Sequence, residues 1–452
     1  MDLFGTAGIR GAVTETVTPA LALAVGQAAA VDDREFVVAR DGRETGSALA
    51  AAIEAGLESG GATVRRAGPL PTPALAFASR GRRGIMVTAS HNPPTDNGLK
   101  LFVDGREYDS VAEGRIEDRV DEGTAPAPWN EWGTSTTVDV LDAYREAVIE
   151  YASGFGAPLD GVRVAVDCGN GMASVATPQV LRALGADVVA LNANVDGHFP
   201  GRESKPTPES LTDLREFVSA GEFELGIGHD GDADRIVVVA ADGSVVHEDT
   251  VLAILAEQYV RQSERSDPVV VTTPNASARI DERVQAAGGR VERVHLGGLH
   301  EGIAAVQANA DEETDVVFAA EPWKHVHPDL GGWIDGVASA AVFARLVAAE
   351  GLDALRAPVT ERPYRKESLA CPDESKAAVM ETLETRLPEA FSDAAVSTDY
   401  GVRLAWDDAS WLLVRPSGTE PYVRMYAESD EVDALVAEAR SVIERTIDEV
   451  AG

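Results

Sequence analysis

The chain has 452 residues, a formal net charge of −36, only five lysines against 34 arginines, and two cysteines. That length exceeds what one hydrophobic core usually supports, so three or four domains are expected. The acidic balance shows no basic stripe and argues against nucleic acid as a partner, while no run of about 18 apolar residues suggests a membrane span.

From the N-terminus, Leu3-Phe-Gly-Thr-Ala-Gly-Ile-Arg-Gly11 is a Gly-rich turn with a lone arginine, Arg10, and no basic or long apolar leader stands before it. Glu35-Phe-Val-Val-Ala39 and Gly84-Ile-Met-Val-Thr88 read as short buried strands, the second running into a loop punctuated by Asn92, Pro93, Asn97 and Gly98. Ser90 therefore stands at an exposed strand end with Lys100 beyond it, a candidate phosphate carrier, although the segment taken alone also reads as a plain loop. The acidic stretch Asp121–Asn130, with two prolines, reads as a connector closing the first domain.

Val162–Val166 and Ala186–Leu191 are further strand runs. Between them Asp167-Cys-Gly-Asn-Gly-Met-Ala173 invites a dinucleotide-binding reading. The third glycine is absent and Leu191-Asn-Ala supplies no acid after the next strand, so a structural turn is the better reading. Gly228-His-Asp-Gly-Asp-Ala-Asp-Arg235 then places carboxylates at 230, 232 and 234 ahead of the apolar run Ile236–Ala240. Alternating hard oxygen ligands suit Mg²⁺. A solvated acidic turn is the bland alternative, and an EF-hand fails because its sixth and twelfth positions, glycine and glutamate, are Arg235 and Ala241 here. Arg235 suggests an anion beside the metal.

Val269–Thr273 is another strand run, and the alternation of such runs with Ala-rich stretches predicts α/β layers with mixed sheets. Glu361-Arg-Pro363 opens the last domain. Beyond it, Val414-Arg-Pro-Ser-Gly-Thr-Glu-Pro-Tyr-Val-Arg424 gathers hydroxyls, a glycine and two guanidiniums, a composition suited to gripping a phosphate. Cys168 and Cys371 lie far apart without ligand-like spacing and read as reduced thiols of a cytoplasmic protein.

In this order, Phe4–Gly11, Thr88–Pro93, Asp230–Arg235 and Arg415–Pro421 make nearly the whole chain resemble the α-D-phosphohexomutase superfamily of phosphoglucomutases, phosphomannomutases and phosphoglucosamine mutases. The resemblance implies an α/β protein of four domains around a central cleft: three similar α/β domains with mixed sheets at 1–132, 133–240 and 241–357, and a C-terminal α+β domain at 358–452. It implies that Ser90 is the phosphoserine and that Ser90, Asp230, Asp232 and Asp234 hold one Mg²⁺. Arg10 and Lys100 would stand beside the transferring phosphoryl group, with His91 and His325 among the catalytic groups. Arg235, Glu321, Trp323, Arg415, Ser417, Gly418, Thr419 and Arg424 would bind substrate.

The implied reaction interconverts hexose 1- and 6-phosphates through a sugar 1,6-bisphosphate, which also serves as activator. The expected partner is a small phosphosugar, with the chain a monomer or homodimer. A phosphopentomutase, a sugar phosphatase and a non-catalytic sugar-phosphate sensor are the alternatives. One departure touches substrate choice. Where many relatives read Gly-Glu-x-Ser-Gly-His, this chain reads Ala320-Glu-Pro-Trp-Lys-His325, so that Trp323 either stacks on a sugar ring or only packs the loop. The acid excess and the scarcity of lysine read as a halophile's surface.

Overall fold

The computed structural model describes residues 3–5, 8–417 and 420–451. The chain divides into two compact units, Met1–Val251 with Val317–Arg356 and Leu252–Val316 with Ala357–Gly452.

In the first unit, the apolar runs near 36 and 85 become the parallel strands Glu35–Arg40 and Arg83–Val87, and Thr63–Pro69, which has no apolar run to announce it, pairs parallel with the first. The long strand Asp96–Val103 returns antiparallel to Arg83–Val87 and carries Ile9–Ala12 on its far edge. That return creates the loop holding Ser90. Ser135–Thr137 adds a last parallel strand beside Thr63–Pro69, so this seven-stranded mixed sheet extends past the expected boundary at 132. Helices Pro19–Ala29, Gly46–Ser59 and Ser110–Glu122 begin with Thr18 and Asp109 as side-chain caps for the first and last. Their apolar faces, with Val25, Ile53, Leu57 and Ile116, cover the strand residues Phe36, Val38, Ile85 and Leu101.

A second mixed sheet follows the order Ile236–Ala240, Leu225–His229, Arg163–Asp167, Asp187–Leu191. Its Asp167 turn is structural: the carboxylate accepts from Gly169 N at 2.8 Å and from Arg202 Nε at 2.9 Å. The strand Thr314–Glu321 runs from the second unit into the first, where it turns back into Lys324–Val326.

The second unit holds the parallel pair Asp267–Thr272 and Arg290–Arg293. It also holds a five-stranded antiparallel sheet in the order Tyr364–Ala370, Tyr422–Glu428, Trp411–Pro416, Val402–Ala405, Ala395–Ser397. Helices Lys376–Ala390 and Val432–Ala451 pack on it, the latter through Val432, Val436, Ala439, Ile443 and Ile447 at helical spacing. Both cysteines are free and buried. No described helix is long and apolar enough to cross a membrane.

Candidate functional site

Ser90 follows the last strand residue by three positions in a left-handed conformation, with φ of 51°. Such backbone is uncommon for a residue with a Cβ and persists only where surroundings impose it. Here Arg43 imposes it. Its Nη2 donates to the carbonyls of Ser90 (2.9 Å) and Asn92 (2.7 Å), its Nη1 to those of Pro93 (2.6 Å) and Asp96 (2.9 Å), and its Nε to Asp41 Oδ2 (3.1 Å). Thr88 Oγ1 accepts from Ser90 N at 2.9 Å and donates to Asp41 at 2.7 Å. The buried hydroxyl of Ser90 is thereby aimed at Asp230 Oδ2, to which it donates at 2.8 Å.

Asp230, Asp232 and Asp234 are fully or nearly fully buried, with ligand oxygens within 4.8 Å of one another. Thr72 Oγ1 donates to Asp232 at 2.6 Å, and Lys100 Nζ donates to Asp232 at 3.3 Å and to Asp234 at 3.0 Å. The Oδ1 atoms of Asp232 and Asp234 are buried without a hydrogen-bond partner among the described residues. Burial and the neighbouring charges of Asp234 and Asp232 push Asp230 well above the ordinary carboxylate range. Burial works the same way on Asp234, but Lys100 and Arg235 outweigh it and hold that carboxyl low. Three crowded acids with orphaned oxygens are a donor set that fits a divalent cation bound through oxygen.

A ring of cations surrounds this cluster. Lys100 is 1% exposed, and despite burial Asp232 and Asp234 raise its pKa, so it stays protonated. Its ammonium stands 5.2 Å over the Trp333 ring. Arg235 Nε lies 3.8 Å from Asp230 and 3.7 Å from Asp234, and it and Arg10 Nε are buried without hydrogen-bond acceptors among the described residues. His91 Nδ1 is 3.4 Å from Ser90 Oγ, and burial with the charges of Arg235 and Arg10 drives its imidazole far below the usual value. Glu107 was not legible in the sequence. Burial raises it to about 7 in spite of Lys100, Arg10 and Lys324.

The hairpin at 321–324 adjoins the aspartate loop through backbone: Ile236 N donates to Trp323 O at 3.3 Å, and Arg235 bridges Lys324. Trp323 sits at φ of 70° and its ring packs on the apolar cluster of Ala165, Leu211 and Val237. That favours the packing role over stacking on a sugar. Lys324 Nζ instead donates to Glu321 Oε2 at 3.0 Å. His325 faces the interior: Nδ1 is 3.1 Å from Ser339 Oγ, its ring packs on Phe318, and burial pushes it to about 3. It is a neutral core imidazole rather than a group poised beside Ser90.

In the second unit, Arg415 donates to Tyr426 Oη at 2.9 Å, and Arg424 pairs with Glu420. Lys376, unremarked in the sequence, staples this loop by donating to Ser417 O at 2.8 Å and to Glu420 O. The Nε atoms of Arg415 and Arg424 and the hydroxyl of Ser417 are buried without hydrogen-bond partners among the described residues, so they are donors that an anion could take up. Gly418 and Thr419 lie outside the described residues, as do Thr6 and Ala7 of the N-terminal motif.

Residues 1–127, 142–243 and 370–445 match, in turn, the alpha/beta/alpha domains I and II and the C-terminal domain of the phosphoglucomutase/phosphomannomutase family. The chain is 40% identical to a phosphopentomutase of Thermococcus kodakarensis and 40% identical to a probable phosphoglucosamine mutase of Methanopyrus kandleri, each over 99% of both chains. A crystal structure of a phosphoglucomutase/phosphomannomutase family protein from Burkholderia thailandensis superposes with a TM-score of 0.83 at 25% identity, covering 99% of this chain and 97% of that one.

Proposed function

The chain belongs to the α-D-phosphohexomutase superfamily and is a mutase, and on that premise we propose that it moves a phosphoryl group between the 1- and 6-positions of a hexose through phospho-Ser90 and a sugar 1,6-bisphosphate. The observation that carries this reading is the Ser90 hydroxyl, fixed on a strained turn and aimed into a buried nest of three carboxylates ringed by Lys100, Arg10 and Arg235.

Asp230, Asp232, Asp234 and Ser90 would hold Mg²⁺, which when bound neutralises phosphoryl oxygens. Lys100, kept protonated, and the guanidiniums of Arg10 and Arg235 supply fixed positive charge where the equatorial oxygens of a transferring phosphoryl group need it. A sugar hydroxyl attacks phosphorus, the bond from phosphorus to Ser90 Oγ breaks, the hydroxyl loses its proton and the serine oxygen regains one. Glu107 joins Lys100 and Arg10 as a candidate for that proton traffic, because it changes charge near neutrality. The loop at Arg415, Ser417 and Arg424 has the donors to hold a phosphate not being transferred. A bisphosphate lost before the second transfer leaves Ser90 without its phosphate, and added bisphosphate restores it. Hence its role as activator.

A pentose phosphate is the second reading. Lys324 occupies Glu321, so the loop offers fewer free groups to sugar hydroxyls, and one similar protein carries the name phosphopentomutase. Incubation with glucose, mannose, glucosamine and ribose 1-phosphates tests both. Conversion to the hexose 6-phosphate, a phosphate on Ser90 by intact mass, and loss of both in Ser90→Ala are expected. Release of inorganic phosphate alone would make the chain a phosphatase, and full activity in Ser90→Ala would remove the serine from the mechanism.

A further inference from the structure

Away from the Ser90 cluster, the second unit has an open cleft of about 200 Å³, lined among others by Arg293, Arg403, Ser397, Asp399, Tyr400 and Glu292. Arg403, on the strand Val402–Ala405, has a buried side-chain Nη1 with no hydrogen-bond partner among the described residues. Its guanidinium lies 4.9 Å over the Trp411 ring.

The carboxylates in its neighbourhood are already engaged. Asp281 takes both Nη atoms of Arg293 at 2.7 Å each. Glu428 takes Arg279 Nη2 at 2.7 Å and Trp411 Nε1 at 3.0 Å. On the rim, Glu292 pairs with Arg290 and Asp399 accepts from Ser397 at 3.1 Å. Arg293 also keeps a buried Nε without a partner. Burial and then the charge of Arg293 push Arg403 down to about 9. Both arginines are half-buried, and each keeps one nitrogen cut off from water and from any acceptor among the described residues, a donor that a ligand oxygen would satisfy.

We propose that Arg403 and Arg293 form an oxyanion site in the second unit that takes a phosphate monoester. The guanidinium of Arg403 and the remaining Nε of Arg293 can donate to phosphate oxygens. The rim carboxylates, the Ser397 hydroxyl and the Tyr400 ring suit the hydroxyls and ring face of a small sugar attached to it. A cleft of about 200 Å³ is far larger than one water needs. Free phosphate shares the recognised chemistry.

The test is residue-resolved modification of the full-length protein with phenylglyoxal, read by mass spectrometry, with inorganic phosphate or glucose 6-phosphate as probe. Isothermal titration of the same probes follows on wild type, Arg403→Met and Arg415→Met. Modification of Arg403 should slow at least tenfold with a saturating probe, in wild type and in Arg415→Met alike. Arg403→Met should weaken one of two binding steps roughly tenfold or more, the loss expected for a charge-assisted pair. Protection by the sugar phosphate alone identifies the ester as ligand, and equal protection by both identifies the phosphate group. Unchanged modification of Arg403 with both probes, or protection that disappears in Arg415→Met, would overturn the proposal. The modification arm needs no Arg403 variant to fold.

Discussion

Arg43 shows what one residue does for this site. It is 1% exposed and spends all its donors on four carbonyls of the Ser90 loop and on Asp41. Replacing it by methionine leaves Asp41 buried without its cation, a change that costs roughly 3–5 kcal/mol where partners are fully desolvated. Lysine has one compact ammonium and cannot reproduce the fork. Arg43→Met should therefore lower denaturant stability by about that amount, and Arg43→Lys should fold better yet still lose most of the proposed phosphorylation of Ser90. Equal phosphoserine content in Arg43→Lys and wild type would show that the loop holds without the fork. The sequence displays Ser90, Lys100 and the three aspartates because they sit in short local patterns. Arg43, Thr72 and Glu107 carry no such pattern. Arg43 reaches carbonyls about fifty residues away, and Thr72 meets Asp232 across 160 positions. Only the folded chain brings them in.

Elements place these residues, and two contacts between elements can be tested. Helices Pro19–Ala29 and Gly46–Ser59 cross at Gly26 and Gly56, where a Cβ on Gly56 would meet the Leu23 carbonyl oxygen at 2.2 Å. The obstruction is backbone and cannot swing aside, so Gly56→Ala should cost about 1–3 kcal/mol, measurable in urea. Asp335 caps helix Gly336–Glu350 through Ala338 N at 2.8 Å, and the Tyr144 hydroxyl lies 2.9 Å from each of its oxygens. Burial raises this carboxyl to about 6. The folded chain keeps the proton between roughly pH 4 and 6 while the unfolded chain loses it, so stability from this group is present below pH 4 and lost as pH rises through 6. The loss is about 3 kcal/mol. An asparagine in its place keeps a capping oxygen and carries no charge. Asp335→Asn should then be more stable than wild type at pH 8 by up to that amount and little different at pH 4, and identical curves for the two proteins would contradict the raised pKa. The strands near 36, 85, 164, 188, 238 and 270 were legible as apolar runs. Ser135–Thr137 was not, because three polar residues at a sheet edge have no apolar signature.

At the scale of the whole molecule, 75 acidic side chains face 39 basic ones. The strongest ion pairs are buried: Asp41 with Arg43, Asp232 and Asp234 with Lys100, and Glu428 with Arg279. Salt scarcely screens those, whereas it screens repulsion between surface carboxylates, whose reach falls from about 30 Å at 0.01 M to about 3 Å at 1 M. Exposed pairs such as Arg163 with Asp187 also weaken, but each contributes only about 0–1 kcal/mol. With a net charge of −36 the relieved repulsion outweighs that loss, so the melting temperature should climb between tenth-molar and multimolar KCl, most steeply at the low end where screening changes fastest. The chemistry at Ser90 should respond much less once the chain is folded, because its carboxylates and cations are shielded from bulk ions. Parallel curves of melting temperature and of kcat against KCl separate the two effects. A flat melting temperature would mean that the acidic surface is not under strain at low salt, and a kcat that rises in step with stability would mean that the Ser90 cluster itself loosens when salt is withdrawn.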